Sequence, residues 1–320
     1  MTLTLAIPSH NDTAPLCRLL QRIARLKLGD HVIVVDDGSD RPIDNAQLCD
    51  QSGLPQDRLM LLRHDRPKGP GAARNRAILY SQTDHLLFLD ADDLPTRELP
   101  DLLRDLEGEE FDFCQFQYHD TRMEQERAWG QMTHDQQLWQ AAGLDLGALN
   151  EVTPEAAAEL ARTANYPWNK IYRTEFLRAH AIGCSDILVH EDVELHWRSF
   201  LNARRILASD RVGVIHFVSP QGARLTNRTG AERLDLFGPL DRLAMEIRLK
   251  SPEIYALPFF VFAIGLFDWI AGNLDPAHHA AFATAVRAFV TTQVPADLLD
   301  QIRAAEPERT ARVLDRAGLA

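Results

Sequence analysis

Three acidic clusters are the residues of this chain whose types and spacing could do chemistry. "VVDDGSD" puts Asp36 and Asp37 behind an apolar run, "FLDADD" puts Asp90, Asp92 and Asp93 behind another, and "HEDVEL" sets Glu191 beside Asp192. Carboxylates a few ångströms apart repel, so such clusters persist only where a cation, a proton or a set of donors offsets the charge. Two uses follow. Hard oxygen ligands suit Mn²⁺ or Mg²⁺, and a positioned carboxylate can take the proton of an attacking hydroxyl. Each motif also has a plainer use: DDGS can be a capped turn, and acids at a helix start can cap it and complement its dipole.

The elements that must position these acids alternate along the first half of the chain. "LTLAIPS" reads as a strand, and "APLCRLLQRIARLKL" as a helix with Leu16, Leu19, Leu20, Ile23 and Leu26 at helical spacing and Pro15 near its start. "HVIVVDDGSD" and "RLMLLRHD" read as further strands. "AARNRAILYSQ" reads as a helix opened by the Gly69-Pro70-Gly71 turn, and "HLLFLDADDLP" as a fourth strand leaving into its acids. This alternation predicts an α/β fold, a mainly parallel sheet flanked by helices, and such sheets bind ligands at the C-terminal ends of their strands. DDGSD and DADD both lie at such ends. From about Leu225 the pattern is helical, which divides the chain into a catalytic unit over 1–220 and a helical region over 221–320.

Composition narrows the class. The 320 residues are 45% hydrophobic and 25% charged, with a net charge of −12. That acidity argues against nucleic acid as a partner, because phosphate backbones are held by Lys/Arg surfaces. A phosphate compound bound here would need a divalent metal as intermediary. Cys17, Cys49, Cys114 and Cys184 are scattered without a CxxC pair and read as reduced core thiols. The N-terminus lacks the basic flank and apolar stretch of a signal peptide and reads as a first strand, which points to a cytoplasmic protein, at the inner face of the membrane if membrane-associated. "IYALPFFVFAIGLFDWIAGNL" approaches the length of a membrane span, but Pro258 and Asp268 interrupt it. It reads as a buried helix, the alternatives being a peripheral membrane contact or a homo-oligomer contact.

The motifs "PSHN", "VVDDGSD", "GPGAARNRAI", "FLDADD", "PWNKIY" and "HEDVEL" occur in this order with the gaps found in family 2 inverting glycosyltransferases, which have the GT-A fold. The chain resembles that family from Leu3 to about Phe217. The resemblance implies nucleotide binding by Pro8, His10 and Asp37, with Asp37 accepting from the base N3–H and His10 against its face. Asp36 would orient the loop. Arg74 would approach the nucleotide's polar groups, with Asn75 supporting the same loop. Asp90 would contact ribose beside Ala91, and Asp92 would ligate the metal bridging the donor phosphates. Asp192 would be the base and Glu191 would hold the loop or touch sugar hydroxyls. Trp168 would floor the sugar or acceptor site, core packing being the alternative, and Lys170 would anchor its loop. His216, at the end of a short strand, would be a second metal ligand, the alternative being an imidazole satisfied at a strand end.

The expected activity is transfer of a sugar from a nucleotide sugar, expected to be a UDP-sugar, to a hydroxyl of a saccharide or glycolipid acceptor in surface-polysaccharide biosynthesis. Two alternatives carry different outcomes: a nucleotide-sugar-binding relative without transferase activity, or a nucleotidyltransferase releasing pyrophosphate. A phospho-accepting receiver module does not fit, because a complete strand and helix precede the first acids. An EF-hand loop fails where Leu94-Pro95 stands in place of its glycine.

Overall fold

A computed structural model describes residues 1–218 and 227–319. The strands among them are β1 (Leu3–Ser9), β2 (His31–Asp36), β3 (Leu59–Arg63), β4 (His85–Phe88), β5 (Leu94–Pro95), β6 (Phe113–Asp120), β7 (Leu149–Glu151), β8 (Lys170–Arg173) and β9 (Ile206–His216). The helices are α1 (Thr13–Leu26), α2 (Asn45–Ser52), α3 (Pro70–Tyr80), α4 (Leu99–Asp105), α5 (Thr133–Ala141), α6 (Pro154–Leu160) and α7 (Thr174–Ala179). They continue with α8 (Asp192–Asn202), α9 (Phe237–Lys250), α10 (Pro252–Asn273), α11 (His279–Gln293), α12 (Ala296–Ala305) and α13 (Pro307–Arg316).

The strands form one sheet in the order β3-β2-β1-β4-β8-β6-β9-β5, with β7 paired to β9. The first four run parallel, as the βα alternation predicts. The second half is mixed. β8 is antiparallel to both β4 and β6, and β9 is parallel to β6 but antiparallel to β5 and β7. "Mainly parallel" therefore holds for the first half alone. The later strands are separated by the helices α4 to α8 and the loops around them, and periodicity could not give their direction.

Two apolar clusters cover the faces of the sheet. One runs from Leu16, Leu19 and Leu20 of α1 across Leu5, Ile7 and Val34 to Phe116 and Trp168. The other runs from Ala6, Ile33 and Phe88 through Trp197 of α8 to Phe259, Phe267 and Phe289 of the C-terminal helices. The helical region is thus continuous with the sheet's core, and the boundary expected at 220/221 falls among residues outside the described ones. Helix α10 is long and apolar enough to cross a membrane, yet 44% of its most apolar window is buried within the protein. Phe259 meets Trp197 edge-on at 5.1 Å, and Asp268 is paired with Arg312 and Arg316 of α13. Core packing thus takes up the buried side of this helix, Phe259, Phe260, Ile264 and Phe267 among it.

Candidate active site

The C-terminal edges of β1, β2 and β4 collect the first two acidic clusters, and Arg74 of α3 reaches the second of them. In the DDGS turn, Asp36 is fully buried and accepts from the N–H groups of Ser39 (2.9 Å) and Ile43 (3.3 Å), and it pairs with Arg63. This is the loop-orienting use expected of it. Asp37 is buried as well. One of its oxygens accepts from Lys68 N (2.9 Å) and lies 2.7 Å from His64 Nδ1, and the other accepts from Gly69 N at 2.8 Å. The carboxylate expected to face a base therefore ties the turn to the loop that opens α3. Gly38, at φ 68°, closes this turn, and a Cβ there would lie 2.5 Å from the Arg66 carbonyl carbon. His10 stands exposed at the rim, its Nδ1 2.8 Å from the Asp37 carbonyl, while Pro8 is half-buried at the end of β1.

Arg74 is the centre of the arrangement. Its Nη2 donates to Asp90 Oδ1 at 2.6 Å and its Nη1 to Glu191 Oε1 at 2.8 Å, with 5% of its side chain exposed. One guanidinium thus joins the DAD and ED clusters, which lie 101 positions apart by the numbering of Asp90 and Glu191. The resemblance had directed Arg74 to the nucleotide, and in the structure its donors go to these two acids. Asn75 makes a reciprocal pair with the Cys184 backbone, accepting from its N–H and donating to its C=O, both at 2.8 Å. Ser185 N in turn donates to Glu191 O at 2.7 Å. "GPGAARN" therefore holds the segment that delivers the ED pair. Gly71 is needed for that approach: a Cβ there would lie 2.8 Å from Glu191 Cγ and 3.0 Å from Ser185 O.

Glu191 stands at the N-cap of α8 without a side-chain bond to the helix backbone, while Asp192 lies in the first turn, where a carboxylate complements the helix dipole. Burial raises the pKa of the Asp192 carboxyl above the ordinary carboxylate range, and the charge of Glu191 raises it further against the pull of Arg74. Glu191 is also raised by burial, partly offset by Arg74. Behind them lies Lys170, fully buried, donating to Tyr166 O (2.9 Å) and Asn169 Oδ1 (2.7 Å), its ammonium pushed by burial down to about 7. This is the loop anchor expected of "PWNK".

Trp168 is 1% exposed. Tyr166 stacks on it at 4.4 Å, Tyr118 meets it edge-on at 5.2 Å and His216 lies at 5.1 Å. Its ring is closed off by these aromatic neighbours, so the expected open floor for a sugar is a packed support beneath His216. The reason is the antiparallel return of β8, which carries "PWNK" under the end of β6.

The DAD turn and the end of β9 are brought side by side. Asp90 is half-exposed, Ala91 buried and Asp92 half-buried. Asp93 N donates to Asp90 O at 3.1 Å, and Asp93 Oδ1 accepts from Phe217 N at 2.9 Å, next to His216. β5 pairs Leu94 with Ile215. Sequence reading missed a fully buried partner here. Asp120, opposite His216 in the β6–β9 register, lies 3.0 Å from His216 Nδ1 and accepts two bonds from the Arg122 side chain at 2.8 and 2.7 Å. Burial alone would raise the pKa of Asp120, but the bonds from Arg122 and His216 outweigh it and hold the carboxyl well below the usual range. An ionised carboxylate only accepts, so His216 Nδ1 carries the proton and Nε2 keeps its lone pair when the ring is neutral. No run of spacing marks Asp120, since "FQYHD" reads only as the end of a strand. The polar loop expected after His216 lies largely outside the described residues.

A bound divalent ion is implied by the resemblance, and the donor set can be tested for it. Among the described residues no three His, Cys, Asp or Glu side chains converge as a preformed cage. The chemistry of the donors suits such an ion: Asp92 offers a hard carboxylate oxygen, and Asp120 fixes the His216 imidazole through Nδ1, as an acid behind a ligating histidine does.

The family model for Glycosyl transferase family 2 matches residues 4–178, more than half of the chain. The chain belongs to glycosyl transferase family 2. A 98-residue stretch is 39% identical to the pre-mycofactocin glycosyltransferase of Mycobacterium tuberculosis, covering 29% of this chain and 18% of that protein. The chain thus spans less than a fifth of the length of the curated relatives it matches. Among solved structures, TarS 1–349 of S. aureus in complex with UDP-GlcNAc is similar at TM-score 0.75 and 20% identity, over 99% of this chain and 89% of that one. The mannosyltransferase PcManGT of Pyrobaculum calidifontis, in complex with GDP-Man and Mn²⁺, is similar at TM-score 0.56 and 16% identity, over 99% and 86%. At these identities the likeness shows the fold, and that fold is of GT-A type.

Proposed function

We propose that this family 2 glycosyltransferase domain transfers a sugar, with inversion, from a nucleotide sugar to a hydroxyl of a saccharide or glycolipid acceptor. A UDP-sugar is the donor class and surface-polysaccharide synthesis the setting. The observation that carries the reading is Arg74, which joins Asp90 at the end of β4 to Glu191 beside Asp192. A leaving-group side and an acceptor side thereby share one buried cation, and Asp192, whose carboxyl has a raised proton affinity, follows Glu191 directly.

Asp192 is the general base. Its carboxylate takes the acceptor hydroxyl's proton as that oxygen attacks the anomeric carbon, and the bond from that carbon to the diphosphate breaks with its electron pair on the departing oxygen. A raised pKa suits this work, since a base is most effective when it titrates near the operating pH. Glu191 and Arg74 hold the base loop in place. Asp92 and His216 would hold Mn²⁺ or Mg²⁺, which when bound neutralises charge on the departing nucleoside diphosphate. Pro8 and His10 border the nucleotide side, and Asp37 acts there through the loop it ties. The test is a panel of nucleotide sugars read out by the nucleotide released. A nucleoside diphosphate from a UDP-sugar, with an inverted anomeric product, is the expected result, and pyrophosphate release would overturn it.

A further inference from the structure

His190, directly before Glu191 and Asp192, sits in the left-handed backbone region at φ 66°. That region is unfavourable for a side chain other than glycine and persists only where surroundings enforce it. The group that holds the His190 side chain comes from the C-terminal helical region. Arg233, in the turn leading into α9, is 1% exposed, and its Nη1 lies 3.0 Å from His190 Nε2. A guanidinium only donates, so Nε2 accepts and the imidazole is neutral with its proton on Nδ1. Burial and the adjacent guanidinium both push the imidazole down, to about 3. Arg233 is itself fixed. Its Nε donates to Arg228 O at 2.6 Å, and its guanidinium lies over the Trp269 ring at 4.7 Å. Trp269 also meets His190 edge-on at 5.8 Å. On the far side of the segment, His190 O accepts from Val193 N at 3.3 Å, opening α8. The strained residue is therefore clamped between the C-terminal helices and the helix that begins with Asp192.

We infer that Arg233 is a positioning residue for the transfer step: from the helical region it holds His190 in its left-handed conformation and so fixes where the Asp192 carboxylate stands. This rests on the reading of Asp192 as base. It assigns the helical region a role in turnover beyond packing. Small displacements of a catalytic group lower turnover by up to roughly 10²-fold.

The test is a double-mutant cycle on the full chain, with Arg233→Met and His190→Gly, reading kcat, donor KM and UDP affinity. Glycine adopts this backbone conformation without penalty, so the two changes must couple. Arg233→Met is expected to lower kcat about tenfold or more, with UDP affinity held within about twofold. In the His190→Gly background the same change is expected to cost under about threefold. If Arg233→Met does not fold, Arg233→Lys, which keeps the charge and sheds the planar fork, goes through the same cycle. Equal losses in both backgrounds, or a loss confined to donor KM, would overturn the inference. Asp192→Asn is measured alongside. Retention of wild-type turnover there would sink the base assignment itself, whereas an additive cycle with an inactive Asp192→Asn would sink only the positioning role.

Discussion

Replacing Arg74 by methionine, of similar length and no charge, leaves Asp90 and Glu191 without the cation that holds them. Breaking a buried pair by removing one partner costs about 3–5 kcal/mol, because the remaining charge is uncompensated. Glu191 keeps 11% of its side chain exposed and Asp90 31%. Water still reaches Asp90, so the loss expected for Arg74→Met is near 3 kcal/mol rather than 5. The pH dependence follows from the sign of the shifts. Arg74 opposes the upward shifts of Glu191 and Asp192. Without it, both folded-state values rise further above their unfolded values. The variant's folded state then binds more protons than its unfolded state, and its stability falls as pH rises through that window. The gap to wild type should be widest above neutral pH and close as pH falls toward about 4, where carboxyls are protonated in the unfolded chain too. Urea unfolding at pH 8 and pH 5 measures it. A gap under about 1 kcal/mol at pH 8, or one independent of pH, would refute the claim that Arg74 is the keystone of the two acid clusters.

Three further outcomes follow. Asp92→Asn should remove most Mn²⁺-dependent turnover and weaken UDP binding, and His216→Ala should raise the Mn²⁺ concentration needed; a metal titration unchanged in both would remove these residues from the metal site. Gly71→Ala should push Glu191 aside, because its Cβ would lie 2.8 Å from Glu191 Cγ, and cut kcat about tenfold or more with little change in UDP affinity by calorimetry. The acidic limb of the pH–rate profile should lie above the ordinary carboxylate range, since the base must be ionised and its pKa is raised; a profile flat down to pH 5 would contradict it.

Much of the site was legible because its acids stand at strand ends, where chain order and apolar runs announce them. The parallel half of the sheet and the first two clusters follow from "LTLAIPS", "HVIVVDD" and "HLLFLDADD". What was not legible is where the lone pairs and donors go. Asp37 and Arg74 are the right residue types for a nucleotide, but Asp37 is engaged by His64 and the Lys68–Gly69 segment, and both Nη groups of Arg74 go to acids 16 and 117 positions away. Trp168 looked like an open platform because nothing in "YPWNK" says that β8 reverses beneath β6. Asp120 and Arg233 went unseen for the same reason. Each acts through a partner about 96 or 43 positions away, and single-chain periodicity reports only neighbours within a turn or two.

The most direct measurement of the central claim is the turnover of Asp192→Asn beside its affinity for UDP in the same buffer and Mn²⁺. The account predicts a fall in kcat of roughly 10²-fold or more, the scale of a positioned base, with UDP affinity nearly intact. Unchanged turnover, or a loss of UDP affinity that matches the loss of rate, would contradict it.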